Sequence, residues 1–332
     1  MVNKIQNLVR VADSAIARAY LACFNEKNAL ITFLFHSLFK DASEIDLNHV
    51  DPLERTTVAK FRQLVHYYAS NGYKFITPLD ILAGLEPNLK YAMLTFDDGY
   101  RNNVQTLKVL EEFNAPCTYF ISTRNVTENK CYWWDVLYRE QLAKGEPPQS
   151  VYHQAIELKV NPTEKIEEVL LSRFGKDCLK PKSDIDRPFT AAELTEFARH
   201  PLVHLGNHTA NHAILLNYSM DDVRKQIQGA QDTLTELTGK TPVAIAYPNG
   251  GHNDEIVKVS IDCGLKVGVT VRPHKTALPI RTKNAALMHL GRFCPHDESP
   301  METQCRTYRS DLQLYNSMRS TYLRMIRKQI AQ

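Results

Sequence analysis

The chain lacks a long apolar run. No stretch of its 332 residues approaches the roughly 20 consecutive apolar residues of a membrane-spanning helix. It also lacks a C-x-x-C pair. Seven cysteines, an odd number, are scattered at Cys23, Cys117, Cys131, Cys178, Cys263, Cys294 and Cys305. Several stand in apolar runs such as Pro116-Cys117-Thr118-Tyr119-Phe120, as reduced, buried thiols do, which predicts a cytoplasmic protein. Residues 1–29 have no continuous apolar core, being broken by Lys4, Asn7, Arg10, Asp13 and Arg18, so no secretory signal is expected. Excess charge is missing too: 40 Lys and Arg against 37 Asp and Glu leave +3, which excludes nucleic acid as the main partner. What remains is a composition of 43% hydrophobic and 23% charged residues, sufficient for one large core with an appendage.

Against that background two stretches stand out. Thr95-Phe96-Asp97-Asp98-Gly99-Tyr100 follows the apolar run Tyr91-Ala92-Met93-Leu94, which reads as a buried strand. Two adjacent carboxylates at such a strand end must be paired, protonated or bound to a cation. Strand neighbours point to opposite faces, so both face one site only where the chain is already turning, as Gly99 allows. His208-Thr209-Ala210-Asn211-His212 follows a second apolar segment, Leu202 to Gly206. Histidines four apart share one face of a helical turn and can hold one ion. Alone, either pattern is also what a capped helix or a chance histidine pair would give. Together they supply three ligands and a free carboxylate, the composition of a hydrolytic metal centre with an open position.

TFDDGY followed by HTANH resembles the polysaccharide deacetylase family, the NodB-homology carbohydrate esterases. A third match is Ala246-Tyr247-Pro248-Asn249-Gly250, similar to the F-A-Y-P-x-G form of that family's third motif. The resemblance covers about Leu30 to Phe293 and implies a metal-dependent hydrolase removing an N-acetyl group from an amino sugar in a polysaccharide, glycolipid or nucleotide-sugar precursor. By the same resemblance Asp98, His208 and His212 are metal ligands, Asp97 is the general base, and Thr209, Tyr247, Pro248 and Asn249 are substrate-binding, with an oxyanion donor among the N–H groups near Tyr247. His36, ending the first strand, reaches the mouth of the site. His289 is the nearest match to the late histidine that serves as general acid. The family's third-motif arginine, which braces the catalytic Asp, falls here on Ala246; Arg292 could replace it from a neighbouring strand end. Two histidines and a carboxylate suit zinc, and also cobalt, nickel or iron. A small-molecule amidohydrolase on the same barrel stays open, as does a non-catalytic carbohydrate-binding relative, against which the intact Asp97 argues.

Strands alternate with helices along the chain, which implies parallel strands with crossover helices, in a barrel or a doubly wound sheet. The resemblance selects an α/β distorted (β/α) barrel of seven strands. Three regions are expected: an N-terminal helix at 1–28, the barrel at 29–300 with an insertion at 124–187, and a basic amphipathic C-terminal helix at 301–332. Helices are predicted over 52–71, 102–113, 136–144, 162–174, 190–200, 219–238 and 253–263. The last strand is predicted at 286–293. Trp134, beside Trp133 in the insertion, either anchors the insertion or stacks on a sugar ring. The C-terminal helix would close the barrel's base or lie on an anionic membrane surface, placing the protein at the inner membrane face. The oligomeric state stays open.

Overall fold

Apolar side chains on both faces make Ala29–Phe35 (β1) a strand buried along its whole length, the pattern of a parallel sheet covered on both sides. In the computed structural model, which describes residues 2–24, 26–51, 55–280 and 286–312 without the side chains of residues 2–10, six more parallel strands join it. They are Tyr73–Phe75 (β2), Lys90–Phe96 (β3), Cys117–Ile121 (β4), Val203–Asn207 (β5), Ala244–Ala246 (β6) and Val267–Val269 (β7). The sheet runs β7-β6-β5-β4-β3-β1, with β2 beside the first half of β3 and the short Thr276–Ala277 (β8) antiparallel to the start of β1. This curled parallel sheet is the distorted (β/α) barrel expected from the resemblance. Its seam is closed by residues 290–293: Leu290 bridges Val269 and Phe293 bridges Phe33, both in parallel.

Alternation along the strands divides the core. Ile31, Phe33 and Phe35 of β1 and Ala92, Leu94 and Phe96 of β3 pack outward on Phe61, Leu64, Val65 and Tyr68 of the helix Val58–Ser70. Leu30, Tyr91 and Met93 face the other way, into a cluster with Ala244, Ala246, Val267 and Val269.

Helix starts follow their caps. The helix predicted from residue 52 begins at Val58, because the Thr57 hydroxyl accepts from Lys60 N–H; residues 52–54 lie outside the described part. Ala191–Phe197 opens with a capping box between Thr190 and Glu193. Met220–Thr238 is capped by Ser219 and ends at Gly239 in the left-handed region. The strand predicted at 286–293 is instead a 3-10 turn, Ala286–His289, leading into the seam.

The N-terminal helix, Val2–Cys23, lies on the body, with Ala17 and Asp13 buried and the Tyr20 hydroxyl donating to Asp311 at 2.8 Å. Between β4 and β5 the insertion folds as Thr123–Glu128, Trp133–Ala143, Pro148–Leu158 and Thr163–Phe174 around a small core of Trp133, Val136, Leu137, Val151, Ile166 and Leu170. Val151 of this core comes from Pro148–Leu158, a helix opened by Pro148 where the sequence analysis predicts none. Of the predicted C-terminal helix, Met301–Arg309 is seen, with Met301, Cys305 and Tyr308 buried and Tyr308 stacked on Phe293; its continuation beyond residue 312 lies outside the described residues. No helix among the described residues is long and apolar enough to cross a membrane.

Candidate metal centre and active site

By strand alternation Asp97 continues the inward face of Tyr91, Met93 and Thr95, and Asp98 should point away. The chain turns between them. Gly99 N–H bonds back to the Asp97 carbonyl at 2.9 Å, and Asp98 itself takes φ +74°, a rare and costly conformation for a residue with a side chain. Gly99 follows at φ +96°. The Asp98 carbonyl is then held by Ser122 N–H at 3.0 Å and the Tyr132 hydroxyl at 2.8 Å. Both carboxylates thereby reach one site, and both are buried.

The histidine pair arrives on a loop, not on the predicted helical turn. Thr209 and His212 have φ of +65° and +50°. The loop's N–H groups are satisfied from outside a helix: Thr209 N–H donates to the Asn207 side chain, Ala210 N–H to the Gln226 carbonyl, Asn211 N–H to the Gln226 side chain and Ala213 N–H to the Thr209 hydroxyl. Thr209, fully buried, thus holds the loop's shape and does not face the pocket.

His208 and His212 Nε2 each stand 3.4 Å from Asp98 Oδ1. That oxygen is buried and has no hydrogen-bond partner. Ligand bonds of about 2.0–2.1 Å at a tetrahedral angle put two donor atoms about 3.3–3.4 Å apart, so these three donors fit one small divalent ion. His208 Nδ1–H donates to the Ala246 carbonyl at 2.8 Å, which fixes the tautomer and leaves Nε2 as the ligand atom. Burial, and then the neighbouring His208, hold the His212 imidazole well below its ordinary pKa, in the neutral form that binds metal. Among the described residues this is the one group of three such side chains.

Arg292 meets Asp97 from the seam. Its two terminal nitrogens donate to Oδ1 and Oδ2 at 2.7 Å each; one also reaches the Thr95 hydroxyl at 3.0 Å, and Nε donates to the Thr270 carbonyl at 3.0 Å. Burial would raise the Asp97 carboxyl. The charge of Arg292, with a smaller contribution from His208, more than offsets it and holds the group below the usual carboxylate range. A bidentate pair this deeply buried is costly to break, about 3–5 kcal/mol when one partner is removed.

Above Asp98 and His212 lies a pocket whose walls include His36, Asp51, Tyr100, Trp134, Lys159 and Asn249. Both tryptophans line it: Trp133 is buried in the insertion's core, and Trp134 has its ring 4.5 Å from His212 and its indole N–H donating to the Tyr100 hydroxyl at 3.0 Å. Tyr100 donates in turn to Asp135 at 2.6 Å. Burial pushes the Asp135 carboxyl well above its ordinary value even though Tyr100 and Asp51 N–H both donate to it. Pro248 is buried at the start of a 3-10 turn. The N–H of Tyr247 is already used by the Val269 carbonyl at 3.3 Å, and its ring stacks on His252, so the oxyanion donor expected near Tyr247 is not that group. His289 does not line the pocket. Leu287 and Met288 take the buried side of its turn, and the His289 ring lies 2.9 Å from His252.

Sequence reasoning missed Glu164 altogether. From the insertion it accepts from Asn211 and Gln226 and, at 2.7 Å, from the Tyr218 hydroxyl; beside it the Thr163 hydroxyl donates to the His212 carbonyl at 3.4 Å. The insertion therefore clamps the histidine loop. Nothing local in the sequence signals a contact across 47 residues.

The description "Polysaccharide deacetylase" matches residues 85–268, more than half of the chain. The chain belongs to the polysaccharide deacetylase family. It is 19% identical over 224 residues to YxkH of Bacillus subtilis (strain 168), covering 66% of this chain and 60% of that protein, so it spans about 60% of the length of that curated relative. The Streptococcus pyogenes deacetylase PplD, solved in complex with acetate, matches with a TM-score of 0.58 at 18% identity, over 85% of this chain and 99% of that one. IcaB from Ammonifex degensii matches at 0.54 and 14% identity, over 86% and 99%. At these identities the structures share the fold with this family member and say nothing more of it.

Proposed function

We propose that this chain is a metal-dependent hydrolase that removes the acetyl group from an N-acetylated amino sugar. The observation that carries the reading is the unpartnered Asp98 oxygen, 3.4 Å from two histidine nitrogens, beside an Asp97 kept ionised by Arg292. Asp98, His208 and His212 would hold the ion; zinc fits, as do cobalt, nickel and iron. A divalent ion there supplies Lewis-acid polarisation of the amide carbonyl and acidifies water. Asp97 takes the proton of the attacking water. Arg292 keeps its carboxylate aimed and ionised. Trp134 and the insertion shield the site, and its indole offers a face to the sugar ring.

The test is acetate release from N-acetylglucosamine and its oligomers by the purified chain with and without added zinc, cobalt or nickel. Metal-dependent release supports the proposal. A chain that binds one ion but releases no acetate from any N-acetylated sugar contradicts it and favours a non-catalytic binder. We also place the enzyme in the cytoplasm, on the support of five buried thiols, Cys117, Cys131, Cys178, Cys263 and Cys305, none of them in a disulfide; recovery from a periplasmic or secreted fraction would contradict this.

A further inference from the structure

Five lysines of the described residues are buried or half-buried: Lys60, Lys90, Lys130, Lys159 and Lys275. Four have a carboxylate within ion-pair distance, namely Asp297, Glu26, Glu167 and Asp311 respectively. Lys159 has none; the one hydrogen bond of its ammonium runs to the Asn249 side-chain oxygen at 3.4 Å. It stands just past the insertion helix Pro148–Leu158, on the wall of the pocket that has Asp98 and His212 at its base. A lysine taken out of water without a counter-ion is at a disadvantage, and here burial lowers its pKa although the charges of Asp51 and Asp98 push the other way. An ion at the metal centre would set further positive charge beneath it. The Lys159 ammonium thus faces the pocket with no carboxylate at ion-pair distance.

We propose that Lys159 binds an anionic substituent of the substrate, a phosphate or a carboxylate carried on the N-acetylated sugar. Lysine suits either, being a compact charge with three rotatable donors that imposes no planar geometry. Trp134 and Tyr152 line the same pocket and give the ring between the anion and the acetamide an aromatic wall. The substrate class is then a charged amino-sugar derivative, not a neutral homopolymer. This rests on the deacetylase reading above.

The test uses the full chain loaded with one metal ion. Deacetylation of N-acetylglucosamine, N-acetylglucosamine 1-phosphate and an N-acetylhexosaminuronic acid is compared in the wild type, Lys159→Met and Lys159→Arg. The wild type should prefer one or both charged sugars at least tenfold in kcat/KM, and the phosphate and carboxylate arms tell the two anions apart. In Lys159→Met that preference should collapse through a raised KM for the charged sugars; Lys159→Arg should keep most of it. No preference in the wild type, or an equal loss of kcat on neutral and charged sugars in Lys159→Met, overturns the proposal. Calorimetric binding of the sugar phosphate and the sugar uronate separates the two readings. If Lys159→Met binds both as tightly as the wild type, the anion site is wrong whatever the turnover. If binding of either depends on Lys159 but nothing is hydrolysed, the anion site stands and only the hydrolase reading fails.

Discussion

Asp97, buried beside Asp98, and Lys159, half-buried on the pocket wall, are both ionisable groups withdrawn wholly or in part from bulk water, and the molecule treats them differently. Two 2.7 Å bonds from Arg292 compensate the first; a single amide oxygen at 3.4 Å meets the second. The difference follows the architecture. The pocket's base is made of strand ends and the loop that follows one of them, and there Asp97 has its arginine while Asp98 faces two histidine nitrogens at 3.4 Å. The roof is made by the insertion, a small core of its own fastened through Glu164 to the histidine loop and through Lys130 and Glu167 within itself. On the proposed reading, reaction chemistry sits where the scaffold is stiff, and recognition where it is added on.

The sharpest way to break this division lies at its base. Asp98→Asn should lose metal and activity together, whereas Asp97→Asn should keep the ion and lose kcat on the order of 10²–10⁴-fold, the usual worth of general-base assistance. Elemental analysis beside kcat for both variants decides it; an Asp97→Asn protein without metal and an Asp98→Asn protein with it would exchange the two roles.

A smaller effect is expected at the brace. Arg292→Lys keeps a charge but loses the bidentate fork, so burial is less well offset and the Asp97 carboxyl rises. The acid limb of the pH–rate profile should move to higher pH, with kcat at neutral pH down about tenfold. The sign is the same for stability. A carboxyl held below its unfolded value stabilises the fold above about pH 4 and loses that contribution as pH falls through the folded value. In the variant the loss should begin at a higher pH, as acid-unfolding curves will show. An unmoved acid limb would mean that another group sets it.

The smallest effect tests whether the roof reaches the base at all. Glu164→Gln keeps the side chain's shape but weakens its bonds to Tyr218 and Asn211. Metal affinity should fall about 10-fold, the lower end for outer-shell partners of ligating histidines, with Glu164→Asp partly restoring it. Zinc competition with a chelator measures this, and unchanged affinity would make the insertion purely a roof.

Much of the base was legible in the sequence because its residues are adjacent in the chain. Asp97 and Asp98 end an apolar run, His208 and His212 end another, and Arg292 follows a third apolar stretch near the seam. The same local reasoning misjudged the loop carrying the histidines. A spacing of four suits a helical turn, but Asn207, Thr209 and Gln226 supply partners that let the backbone avoid one. His289 was read by position, and its ring instead meets His252, a partner no spacing rule identifies. Lys159 and Glu164 were invisible for a related reason. Each sits in an ordinary amphipathic stretch, and its meaning comes from residues far along the chain, 90 positions away for Lys159 and 47 or more for Glu164.

Arg292 belongs to the segment that bridges Phe33 of the first strand to Val269 of the seventh. As the chain emerges during synthesis, both aspartates and both histidines are made long before it. Until residues 290–293 dock, Asp97 lacks the Arg292 counter-charge, and the bridges to Phe33 and Val269 are unmade. One late event therefore seals the barrel and pairs Asp97 with Arg292. A nascent or partly unravelled chain can hold Asp98, His208 and His212 and still leave Asp97 without its arginine, so the pairing reports that the seam has docked.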